Sequence, residues 1–206
     1  MRRLITAGAV IMLLLSLCAC SASNNQAETR APAPNTVEIT FDYAKQSGFA
    51  SNQFAVWIED ADGNLVKTLY VTRYMANGGY KNRPDIVPVW REKSDPASMT
   101  KSEIDAITGA TPKQGTLSYT WDLTDTKGNA VLPGVYSFFV EGSLRWKNRV
   151  LYSGVIAVGG QSPITATANA AFVYESSGNQ PALTDASPET AMIGPVTANF
   201  VPAADG

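Results

Sequence analysis

The chain has 206 residues, with 16 Lys and Arg against 18 Asp and Glu, a net charge of −2, and no histidine. Without an imidazole, His-assisted serine or cysteine hydrolysis, zinc proteolysis and haem ligation by histidine are excluded, and the near balance of charge leaves no electrostatic footprint for nucleic acid. Cys18 and Cys20 are the only two cysteines, so the remainder holds no thiolate metal site and no disulfide. Chemistry would have to rest on carboxylates, Lys, Tyr, Ser/Thr or a bound cofactor, and the residue pattern assigns neither a catalytic residue nor a metal site.

At the N-terminus, Arg2 and Arg3 precede the apolar run LITAGAVIMLLLSLCAC, too short and too early for an ordinary spanning helix. The run ends in LCAC, with Leu17 and Ala19 placed before Cys20. That ending resembles a bacterial lipobox. The resemblance implies a signal peptide over 1–19, acylation of Cys20 and an extracytoplasmic protein anchored by lipid to a bacterial membrane, in the periplasm or at the cell surface. A plain secretory signal or signal anchor is the other reading. Residues 20–35 are polar, small and proline-bearing, the composition of a flexible tether.

From Thr36 the hydrophobic period becomes two. TVEITFDY alternates Val37, Ile39, Phe41 and Tyr43 with polar residues and reads as a half-buried strand. NQFAVWIEDADGNLVKTLYVTR reads as a hairpin turning at DADGN, and LSYTWDLTDTKGNAVLPGVYSFFVEG as a second one turning at DTKGN. Gly63 and Gly128 supply the left-handed residue such turns require. DADGN also resembles the start of a calcium loop, but Val71 stands where its acidic twelfth ligand would be. NRVLYSGVIAVG and ITATANAAFVYE read as further strands, and AMIGPVTANFV as a closing strand whose Pro195 suits a sheet edge. Many short strands between Gly/Pro turns predict one domain over 36–203: an all-β, immunoglobulin-like β-sandwich with one long irregular loop and a short helix near Val87–Lys93.

The irregular loop spans 74–115. It is locally basic (Arg73 at its border, Lys81, Arg83, Arg91, Lys93) and carries Tyr74, Tyr80 and Trp90. One reading is a cover that packs Trp90 over an open end of the sandwich; the other is a cleft for an anionic, planar ligand.

Three resemblances add to this reading. TWDLTDTKGNAVLPGVYSFFVEG is similar to the signature of immunoglobulin-like domains of the flagellar hook-capping type, which implies core roles for Trp121 and Tyr136 and a turn role for Gly134. FAVWIEDADGNLVKTL, VWREKS, DAITGATPKQGTLSYTWD and NAVLPGVYSFFVEG occur in the order seen in predicted periplasmic proteins of domain of unknown function 2271. That resemblance implies an extracytoplasmic β-sandwich linked with flavin transferases and membrane redox proteins. DAITGAT itself resembles the sequence that flavin transferases modify in bacterial redox subunits. By position it implies Thr111 as the acceptor joined to the phosphate of FMN, with Asp105, Thr108, Gly109 and Ala110 as recognition residues. Pro112 and a strand following Thr111 depart from the flavin domains that carry this motif, which belong to another fold. The sequence therefore supports two functions: a carrier or accessory in membrane-associated, flavin-based electron transfer, or a non-catalytic binding or assembly module of the cell envelope.

Overall fold

The computed structural model describes residues 34–47 and 52–203. The expected signal peptide, Cys20 and nearly all of the expected tether lie outside the described residues.

Period-two patterning makes β1 (Thr36–Tyr43): Val37, Ile39, Phe41 and Tyr43 are buried while Asp42 faces solvent. β1 pairs antiparallel with β5 (Gly115–Trp121) on one side and with β10 (Thr197–Val201) on the other, and β8 (Ile164–Thr167) lies beyond β10. The second sheet runs in the order β4 (Thr108–Gly109), β3 (Leu65–Thr72), β2 (Gln53–Glu59), β6 (Gly134–Ser143), β7 (Arg149–Val158) and β9 (Asn169–Val173). Its pairs are antiparallel except β3 with β4. The fold is an all-β sandwich.

The main core lies between the sheets. Phe54, Val56 and Ile58 of β2 join the β1 residues, Trp121, Phe138, Val140 and Phe200 in one cluster. β2 is buried along its whole length because its other face is also covered. Ala55 and Trp57 there meet Val71, Met75, Ala76, Ile86, Val87 and Trp90. Segment 74–107 is thus a third, helical layer on the outer face of the larger sheet. Trp90 packs onto that face, not over an open end of the sandwich.

This layer contains a helical stretch at Met75–Gly79 running into α1 (Tyr80–Asn82), then α2 (Pro88–Ser94) and α3 (Lys101–Ile107). α2 matches the expected helix to within a residue. α3 was not expected, although Thr100 and Glu103 form a capping box at its start, a pattern legible as T-x-x-E. Polar bonds tie the layer down. Buried Glu141 of β6 accepts from the backbone N–H of Trp90 (2.9 Å) and of Val89 (3.3 Å), and Trp90 Nε1 donates to Thr68 Oγ1 at 3.1 Å.

Three sequence expectations about the strands change. The first hairpin, β2–β3, is observed. The second is an arch: β5 and β6 belong to different sheets, and the chain crosses between them. Leu123 adopts φ 55°, a left-handed kink just after Trp121 that turns the chain out of its sheet. Both DxxGN turns have the same internal geometry. Asp60 accepts from the N–H of Asp62 and Asn64, and Asp125 from those of Lys127 and Asn129, with Gly63 at φ 79° and Gly128 at φ 82°. In the tail, β10 is a central strand; Pro195 precedes it and does not mark an edge. ITATANAAFVYE divides into β8 and β9, one in each sheet.

Candidate functional site

The DAITGAT stretch begins on α3 and ends past β4. Asp105 is exposed on the helix, and Thr108 and Gly109 form β4, pairing in parallel with Val71 and Thr72 of β3. β4 is only two residues long, so the rest of the outer edge of β3 has no strand partner among the described residues.

Gly109 and Ala110 rest on Tyr70. A Cβ on Gly109 would lie 2.8 Å from Tyr70 Cε2, too close for any side chain without displacement. The Tyr70 hydroxyl donates to the Ala110 carbonyl at 3.0 Å. The size of Gly109 therefore answers the ring beneath it, and not only access to the neighbouring threonine. Tyr70 packs with Phe54 (5.0 Å between ring centroids) and Tyr119 (4.9 Å), and Phe41 stacks on Tyr119. Burial in this aromatic cluster, with Tyr43 nearby, pushes the Tyr70 hydroxyl up to about 12, so it stays a proton donor. The backbone just before Thr111 is seated on the main core.

Thr111 itself is exposed, and its side chain makes no hydrogen bond to another described residue. Asp105 is likewise exposed and unengaged.

A cavity of about 520 Å³ opens beside this stretch, within the usual size of a small-molecule site. One wall is α3, through Glu103, Ala106 and Ile107, spaced to share one helical face; the opposite walls include Leu65, Lys67 and Leu69 of β3 and Thr120 of β5. The register of β3 against β2 slips at Val66 and at Leu69, two bulges along the cavity edge. Lys67 Nζ donates to Asp122 Oδ1 at 2.8 Å and also bonds Thr124. Burial opposes ionisation of Asp122, but the bonds from Lys67 and Thr124 outweigh it and hold the carboxyl below its ordinary range.

The structure unites Ala106 and Ile107, the two variable positions of the motif, with this cavity, while Asp105 and Thr111 stand outside its wall. It does not gather the basic residues of the loop into a cleft. None of the five lines the cavity; Arg83 forks onto Asp85, and Lys93 bonds Glu59 and the Gly63 carbonyl. The signature residues of the arch have local structural work: Trp121 donates to the Thr124 carbonyl and packs edge-on against Tyr136, whose hydroxyl donates to Leu132.

A two-sheet sandwich with a helical outer layer, an unengaged threonine at the end of a short seated strand and an adjoining cavity define a class of compact β module with one built face. The chain belongs to the family described as predicted periplasmic protein (DUF2271), whose model matches residues 34–174. No curated protein and no solved structure matches it significantly.

Proposed function

We propose that the protein is an extracytoplasmic carrier or accessory in membrane-associated, flavin-based electron transfer, with FMN held covalently on Thr111 and the chain anchored through Cys20. The observation that carries this reading is the state of Thr111: exposed, without an internal hydrogen-bond partner, and fixed in place through Gly109 and Ala110 on Tyr70. A hydroxyl with a structural task would be bonded to the loop backbone. An acceptor hydroxyl must instead be free to enter a transferase active site.

The attachment would run as a phosphoryl transfer. Thr111 Oγ attacks the FMN-side phosphorus of FAD, the new ester bond forms as the bond to AMP breaks, AMP leaves, and the hydroxyl proton passes to a base on the transferase. The bound flavin supplies the electron transfer; the chain's residues position it and shape its surroundings. Thr111 gives a link that cannot dissociate outside the cell. Asp105, exposed on α3, is placed for a transferase to read, and Thr108 and Gly109 hold the approach in an extended strand. The family's description as predicted periplasmic protein supports an extracytoplasmic setting.

Co-expression with a flavin transferase tests this reading. The purified protein should be yellow, with flavin fluorescence that survives denaturing electrophoresis. An unlabelled protein, beside a control substrate labelled by the same enzyme, sinks it.

A second reading, a non-catalytic envelope module, draws on a different observation. Leu132, Val135 and Val155 are 80%, 56% and 62% exposed, apolar side chains open to solvent on β6, β7 and the loop before them. That module would bind its partner equally well with Thr111 replaced by Val.

A further inference from the structure

We propose that the cavity between α3, β3 and β5 is the docking site for the tricyclic ring of a flavin carried on Thr111. The inference rests on the flavin reading above and goes beyond it by naming where the ring sits and what surrounds it.

Chain continuity supplies the first argument. Ile107 lines the cavity, and Thr111 follows it by four residues. At most about 14 Å of extended backbone therefore separates their Cα atoms. The phosphoester, the five-carbon arm and the ring of FMN together span a comparable length, so a flavin fixed at Thr111 reaches back to the cavity without any change in the fold. Because β4 is seated on Tyr70 and paired with β3, the anchor point keeps a fixed position relative to the cavity mouth.

Chemistry supplies the second. The isoalloxazine has an apolar dimethylbenzene end and a polar, uracil-like end with one N–H donor and two carbonyl acceptors. The cavity lining carries both characters: Leu65, Leu69, Met99, Ala106 and Ile107 are apolar, while Lys67, Glu103, Thr120 and Asp122 are polar. The outer edge of β3 upstream of Tyr70 has no strand partner among the described residues, and an open strand edge offers backbone N–H and C=O groups in the alternation such an imide edge pairs with. Lys67 supplies positive charge against the polar end, where a reduced ring gathers negative charge. Asp122, hydrogen-bonded to Lys67, holds that ammonium in place.

The placement of α3 points the same way. Glu103, Ala106 and Ile107 face the cavity, and Asp105 faces away. One seven-residue stretch thus presents its recognition carboxylate outward and its cavity wall inward. A transferase can read the outer face before the ring folds onto the inner one.

The experiment uses the full chain flavinylated by co-expression, with iodide quenching of flavin fluorescence in the folded and the denatured protein. A ring buried to the extent usual for cavity ligands should be quenched about fivefold less in the folded protein than after denaturation. Thr120→Phe and Ala106→Phe each fill the cavity from a different element and leave Asp105, Thr108, Gly109, Ala110 and Thr111 untouched. Each should carry the same covalent flavin yield on denaturing gels, yet quench as readily folded as unfolded. Equal quenching of folded and denatured parent, or protection that persists in both filled variants, overturns the docking site while leaving Thr111 as the acceptor. Absence of covalent flavin from the parent, with an active transferase, overturns both readings.

Discussion

Tyr70 lies directly under Gly109: its Cε2 would be 2.8 Å from a Cβ at that position, and its hydroxyl bonds the next carbonyl at 3.0 Å. The ring cannot yield freely, because Phe54 and Tyr119 pack against it. Gly109→Ala should therefore cost about 1–3 kcal/mol through overpacking. Tyr70→Phe removes one hydrogen bond from a half-wet carbonyl and should cost less, about 0.5–1.5 kcal/mol. Urea denaturation of the two variants checks the order; a Gly109→Ala protein as stable as the parent would show that the ring does not confine this backbone.

Trp121 is fully buried where β5 ends, holds the Thr124 carbonyl and meets Tyr136 edge-on at 5.0 Å. It sits where the chain leaves one sheet for the other. Trp121→Ala should cost about 3–5 kcal/mol, most of the stability of many domains. A melting temperature within a degree or two of the parent contradicts that assignment.

Glu141 gives a pH dependence with a definite sign. Burial pushes its carboxyl up to about 7, against the backbone N–H bonds from Trp90 and Val89 and the nearby charges of Arg149 and Arg91. In the unfolded chain a glutamate titrates near ~4.3, so the folded state binds the proton more tightly. Its contribution to stability is full below about pH 4 and is lost as the pH rises through about 7. Thermal melts from pH 5 to 8 should show the parent losing stability relative to Glu141→Gln, which cannot ionise. A constant difference between the two across that range would contradict this.

Thr111→Val keeps the shape of an exposed, unbonded side chain and should change stability by less than about 0.5 kcal/mol. A loss well above that in chemical denaturation would assign the hydroxyl a structural task and remove the main support for an acceptor.

Strands with one wet face were legible in the sequence because burial imposes a period of two, as in β1. Which sheet a strand joins was not. The DxxGN turns after β2 and β5 have identical local bonding, yet one closes a hairpin and the other begins an arch; the difference lies in the Leu123 kink and in packing across the sandwich. Pro195 misled for a related reason, since it ends just before a strand that both neighbours cover. The layer formed by 74–107 showed its aromatic content but not its partner, because β2 reads as a continuous apolar run whichever element covers its second face. At the candidate site, the spacing of Asp105, Thr108, Gly109, Ala110 and Thr111 was readable. The cavity was not, because its walls come from α3, β3 and β5 and meet only in the folded chain.

Peptide-level mass spectrometry of the protein co-expressed with a flavin transferase asks whether Thr111 accepts a flavin. One FMN is expected on the peptide containing DAITGAT, with fragment ions placing it on Thr111, and none on Thr111→Val although that variant folds. An unmodified peptide beside a fully labelled control substrate, or FMN on another residue, would contradict it.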